Sequence, residues 1–146
     1  MSASNSNPVP PLGRGNPTPD DTAPDGSEIR LLVGENQGAS KSSLVEVTLG
    51  TGEVSRPVRH RTVEEVWYVL EGAGKVWRCP LEADPETVPP VDVSPGDSLV
   101  IPKDWSFQFK AGNGGPLRFL CHTTPSWPGE DEAVPVEHGG LGDATV

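Results

Sequence analysis

The chain reads as an all-β domain, a sandwich or barrel of short strands. Short runs rich in Val, Ile, Leu and Thr recur between residues 28 and 122. Glycine and proline, 17 of each in 146 residues, punctuate those runs at the expected turns. No segment sustains the 3.6-residue apolar period of an amphipathic helix.

The elements follow in order. Residues 1–26 are Pro, Ser, Asn, Asp and Gly with hardly any large apolar side chain. Such a segment cannot bury enough surface to offset its ordering entropy, and it is read as a flexible N-terminal tail. The barrel domain is assigned to residues 27–132. Glu28–Val33 is the first strand and stops at the turn signal Gly34-Glu35-Asn36. Ser43–Leu49 sets Leu44, Glu46 and Thr48 against Val45, Val47 and Leu49, then closes at Gly50-Thr51-Gly52. Glu65–Leu70 and Lys75–Cys79 flank Glu71-Gly72-Ala73-Gly74, a hairpin signal because glycine accepts positive φ. Five prolines amid acidic residues make Pro80–Pro95 a loop. Ser98–Ile101, Ser106–Lys110 and Leu117–His122 supply three further strands. Residues 133–146 are read as a C-terminal tail whose last residues, Gly139–Val146, fray. The acidic run Glu130-Asp131-Glu132 is expected to be a solvated turn.

Bulk properties exclude several functions. A formal charge of −10 argues against a nucleic-acid partner or an anionic membrane surface. No apolar run approaches the ~20 residues that span a bilayer. Met1-Ser2-Ala3-Ser4-Asn5 has neither a basic n-region nor an apolar h-region, so a cytoplasmic location is expected. Cys79 and Cys121 make no disulfide framework and are read as reduced, buried small hydrophobes.

Two segments carry chemistry. One runs His60-Arg61-Thr62-Val63-Glu64-Glu65-Val66-Trp67-Tyr68-Val69-Leu70-Glu71-Gly72, the other Gly96-Asp97-Ser98-Leu99-Val100-Ile101-Pro102-Lys103-Asp104-Trp105-Ser106-Phe107. Together they resemble the two motifs of the cupin superfamily, small β-barrels that usually hold a divalent metal on three His and one Glu. The resemblance narrows the fold to a single cupin barrel, a double-stranded β-helix or jelly roll. Anchoring on Glu65 and Gly72 places the second motif histidine at His60 and the first at Val58. In the second motif Gly96 and Pro102 fit, but the second glycine falls on Asp104, the histidine on Phe107 and the asparagine on Ala111.

Only His60 and Glu65 therefore keep a ligand residue. A catalytic metal site generally needs at least three protein ligands. The expected cofactor is none, or at most a weakly bound divalent metal on His60 and Glu65. His122 has no motif support as a substitute ligand, and alternation turns Gln108 away from the face of Phe107.

In a cupin barrel the face carrying the motif glutamate points inward. Alternation then sends Trp67 and Val69 inward with Glu65, and groups Trp105, Phe107 and Phe109 on a second inward face. The expected ligand pocket is Val58, Trp67, Val69, Trp105, Phe107 and Phe109 around the catalytic candidates His60 and Glu65. The plainer alternative is that these aromatics fill the core and that His60 and Glu65 are a hydrogen-bonded remnant of a metal site.

The favoured function is metal-independent acid/base chemistry on an apolar or aromatic small molecule, of the isomerase, cyclase, epimerase or lyase kind. His60 would be base or acid and Glu65 its orienter. A non-catalytic binding barrel and a metal-dependent dioxygenase or decarboxylase with a reduced ligand set are the alternatives. The fold resemblance also implies a homodimer, with Glu28–Val33 as the candidate exchanged edge strand.

Overall fold

In the computed structural model, which describes residues 9–146, the chain lays down β1 (Asp21–Thr22), β2 (Glu28–Val33), β3 (Ser43–Leu49) and β4 (Val58–His60). β5 (Glu64–Glu71), β6 (Gly74–Cys79), β7 (Val91–Val93) and β8 (Ser98–Ile101) follow. β9 (Ser106–Ala111), β10 (Leu117–Thr124) and β11 (Ala133–Pro135) complete the set. Two antiparallel sheets result, one in the order β1-β2-β3-β10-β5-β8 and the other β11-β4-β9-β6-β7. Their facing sides enclose one core, so the expected all-β barrel of cupin type is what the chain forms. Among the described residues no helix is long and apolar enough to cross a membrane.

The hairpin between β5 and β6 forms where the glycine cluster places it. Gly72 has φ 82°, and a Cβ there would sit 2.0 Å from the Pro116 carbonyl oxygen. Both the backbone conformation and the space admit only glycine. β4, β7 and β11 are three-residue strands that the sequence pattern does not resolve, and β7 lies inside the stretch read as a loop. β2, the candidate for strand exchange, pairs with β3 of its own chain.

Alternation along β9 explains where the core sits. Phe107 and Phe109 point into the barrel, yet Ser106 and Gln108 on the opposite face are buried too. The outer face is covered by the C-terminal segment. Gln108 donates from Nε2 to the carbonyls of Ser55 (3.0 Å) and Gly142 (2.9 Å) and accepts from the Leu141 N–H at 2.8 Å. Trp77, fully buried, lies against Gly140, where a Cβ would come within 2.1 Å of the indole. Thr145 N–H then bonds to the Val54 carbonyl at 2.9 Å. The expectation that Gly139–Val146 frays is corrected by these bonds, which anchor a polar segment without needing an apolar stripe.

The N-terminal segment is also tied down where it is described. Residues 1–8 of the stretch read as a tail lie outside the described residues. Beyond them, Arg30 donates to the carbonyls of Asn16 (2.8 Å) and Pro17 (3.0 Å), and Asp20 accepts the Leu31 N–H at 2.8 Å. β1 adds to the edge of β2, so the boundary drawn at residue 26 cuts through a paired element.

Gln108 is the shared partner of Ser55, Leu141 and Gly142, which gives a stability test. Gln108→Ala leaves those groups without a partner and should cost about 3 kcal/mol. Urea denaturation should register that loss, and limited proteolysis should show the C-terminal segment cut first.

Candidate functional site

The barrel is packed at one end and open at the other. Leu49, Val69, Val76, Phe109, Ala111 and Leu117 fill the packed end. Two residues further along the same inward faces, the side chains stop meeting across the barrel. Val45 and Val47 of β3, Glu65 and Trp67 of β5, and Phe119, Cys121 and Thr123 of β10 line a cavity of about 630 Å³. Val58 and His60 of β4 close one side, and Ile29 and Leu31 of β2 another. Segments 20–25 and 34–37 form the mouth. A cavity of this size suits a small organic ligand.

His60 and Glu65 meet at its inner wall. His60 Nδ1 lies 3.4 Å from Glu65 Oε2, and both side chains are almost fully buried. That is ion-pair distance but not a formed hydrogen bond, and Nδ1 has no hydrogen-bond partner among the described residues. The other carboxyl oxygen, Oε1, accepts from the Trp67 indole N–H at 2.8 Å. The imidazole is held edge-on between Phe107, with ring centroids 5.1 Å apart, and Trp127, at 5.0 Å.

Burial opposes charge on both partners. It lowers His60 to about 4, against the opposing pull of the Glu132 carboxylate. It raises Glu65 to about 7, outweighing hydrogen bonds from Trp67 and Cys121, and the Asp25 and Glu132 carboxylates push the same way. The imidazole is therefore neutral at physiological pH, and the carboxyl is the group that titrates there. Burial, followed by the Glu65 charge, holds the Cys121 thiol well above its ordinary value, so it stays an unreactive S–H.

Glu130 and Asp131 are exposed in a turn, as expected, but Glu132 departs from the expectation of a solvated run. It is 4% exposed, and its Oε2 accepts the backbone N–H groups of Thr62 (2.6 Å) and Val63 (2.7 Å). Burial works to raise it, but those two bonds prevail and hold it below the usual carboxylate range. Its role is to fix the turn that carries the chain from His60 into β5.

Of the expected pocket residues, Val58 and Trp67 line the cavity beside His60 and Glu65. Val69, Phe107 and Phe109 do not, a correction with one cause: they lie deeper on the same faces, where facing side chains close the barrel, and each is at most 1% exposed. Phe107 still forms the floor under His60.

Trp105 is outside the barrel altogether, in a shallow groove with Val91, Val100 and Pro102. The chain turns between Pro102 and Trp105, with Trp105 N–H bonded to the Pro102 carbonyl at 3.2 Å, and strand alternation starts only at Ser106. Asp104 in that turn has φ 69°, which explains why a glycine is expected at its place in the motif.

Phe119, Cys121, Thr123 and Trp127 were absent from the expected pocket. The first three follow the period-two pattern of the last strand, a signal present in the sequence. Trp127 sits in an irregular loop and had none.

The donor set does not fit a resident metal. Val58 and Phe107 occupy the two vacated ligand positions and are register partners across β4 and β9. His122 is exposed on the outer face of β10. Among the described residues no group of three or more His, Cys, Asp or Glu is placed to hold an ion.

Comparison with known proteins supports the architecture. Residues 45–123 match the family described as Cupin domain. The uncharacterized protein MJ1618 of Methanocaldococcus jannaschii is 32% identical over 111 residues, which is 75% of this chain and 82% of the relative. Among solved structures, the polyketide cyclase RemF from Streptomyces resistomycificus has a TM-score of 0.64 at 23% identity, covering 87% of this chain and 82% of that one. A variant oxalate decarboxylase from Bacillus subtilis has a TM-score of 0.72 at 16% identity, covering 90% of this chain and 34% of that one. At such identities these likenesses show the shared fold alone.

The vacated ligand position can be refilled. Phe107→His places a third donor next to His60 and Glu65, so the variant should retain more zinc than the parent after identical dialysis, measured by elemental analysis. Equal retention would mean that position 107 does not face the pair.

Proposed function

We propose that this chain, which belongs to the cupin domain family, is an enzyme that moves a proton on a small molecule held in the barrel cavity, without a metal. The observation that carries the reading is the buried His60–Glu65 pair at the cavity wall, 3.4 Å apart, with an imidazole that burial keeps neutral and a carboxyl that titrates near neutrality. A base works best when its pKa lies near the working pH, which favours Glu65 over His60. Glu65, expected to orient His60, is the base in this reading, and His60 takes the acid side of its expected role.

In the proposed step the Glu65 carboxylate takes a proton from a carbon next to a carbonyl. The C–H electron pair moves into the new C=C bond, and the carbonyl oxygen gains negative charge. The neutral His60 ring N–H stabilises that oxygen by donating a hydrogen bond or its proton, a division of labour that suits a glutamate paired with an uncharged imidazole. Return of the proton from Glu65 to a different carbon completes an isomerisation. In the ring-closing variant the enolate carbon attacks a second carbonyl, whose π pair moves to its oxygen. That oxygen takes the proton from Glu65 while the first carbonyl re-forms. The fold shared with a protein named as a polyketide cyclase supports the ring-closing variant. Trp67 fixes the carboxyl through its indole N–H, while Phe107 and Trp127 hold the imidazole plane.

The test is hydrogen–deuterium exchange at α-carbons of a ketone panel, followed by NMR in heavy water. Exchange catalysed by the protein should rise with pH through about 7 and then level, because Glu65 must be ionised to accept the proton. His60 imposes a second limb only near pH 4, below which it is cationic. Glu65→Gln should slow exchange by at least ~10²-fold. It should leave ligand affinity within about tenfold. Undiminished exchange in Glu65→Gln removes the carboxyl from the mechanism. Binding without exchange in the parent protein identifies a binding barrel.

A further inference from the structure

The charges around the cavity select a class of ligand. Its lining carries five acidic residues, Asp20, Asp21, Asp25, Glu35 and Glu65, against one basic residue, Arg14. Asp25 and Glu65 are buried, at 9% and 6% exposure. Among the described residues neither has a lysine or arginine within ion-pair distance, and Glu65 faces only the neutral His60. Asp25 Oδ1 accepts from the N–H and hydroxyl of Ser27, at 2.9 and 2.6 Å. The nearby Arg56 guanidinium is committed to the carbonyls of Val146 and Pro24. Buried carboxylates are ordinarily paired with a cation; here neither has one at ion-pair distance, and only Arg56 lies near enough to act on Asp25. Trp67, Phe119 and Trp127 add aromatic surface to the same cavity. Carboxyls beside aromatic faces are the two groups that together stabilise an organic ammonium. His60 Nδ1, in a residue only 5% exposed, is also without a partner there.

We infer that the ligand of this cavity is a small molecule with an ammonium group on an apolar or aromatic body, its charge completing the environment of Asp25 and Glu65. The inference rests on the reading of the cavity as the functional site. An anionic ligand would meet like charge from the mouth inward. A neutral one would leave the buried carboxyls as they are.

Isothermal titration of three probes of one shape, tryptamine, tryptophol and indole-3-acetate, tests this on the full chain. Tryptamine should bind at least about tenfold more tightly than tryptophol, and indole-3-acetate should give no measurable binding. Asp25→Asn keeps an acceptor for Ser27 and should weaken tryptamine about tenfold while leaving tryptophol unchanged, the alcohol serving as the control for folding. Equal or tighter binding of tryptophol or indole-3-acetate overturns the ammonium assignment but leaves a small-molecule cavity. Failure of all three probes to bind overturns both.

Discussion

The register between β5 and β10 is the constraint from which the site follows. Thr123 stands opposite Glu65, and Cys121 opposite Trp67, so the two strands send their inward side chains to the same depth of the barrel. β3 locks the other edge of β10, pairing Val45 with Cys121 and Val47 with Phe119. A slip of one residue would turn Glu65 to solvent and bring Glu64 or Val66 inside, since successive strand side chains point to opposite faces. The alternation of buried and exposed residues along β5 shows how strongly the pairing is held: Glu65, Trp67 and Val69 are buried, while Glu64, Val66 and Tyr68 are exposed.

A carboxylate at position 65 beside hydrocarbon at positions 58 and 107 has an electrostatic consequence. Val58 and Phe107 bring hydrocarbon to where polar donors would stand, and the surroundings of His60 and Glu65 become poor at supporting charge. Each residue responds by favouring its neutral form, which moves the imidazole down and the carboxyl up. Hydrocarbon at positions 58 and 107 therefore moves the carboxyl toward neutral pH. Hydrogen bonding from Trp67 limits the rise without reversing it.

Much of the fold was legible because it rests on apolar alternation and turn chemistry. β2, β3 and β8 fall on the residues that the pattern marks, and the β5–β6 hairpin turns at its glycines. What was not legible rests on hydrogen bonds between segments far apart in sequence. Gln108 holding Leu141 and Gly142, Arg30 holding Asn16 and Pro17, and Glu132 holding Thr62 and Val63 leave no periodic trace. The site shows the same division. His60, Glu65, Val58 and Trp67 follow from motif and alternation, whereas Trp105 was misplaced because alternation was carried through a turn that breaks it. Asp25 belongs to a stretch whose composition suggests only a tail.

The cavity is built from two sources that can vary independently. Barrel strands supply His60, Glu65 and the aromatic walls, and any change there disturbs a close-packed interior. The segment before β2 supplies Asp20, Asp21 and Asp25, and apart from Asp25 these are exposed residues outside the core. Asp21 is exposed and its side chain accepts from its neighbour Thr22, so its substitution can alter the entrance at little cost to folding, whereas Asp20 and Asp25 also hold Leu31 and Ser27. The entrance and the interior can thus change separately, the one through exposed polar residues and the other only by repacking the core.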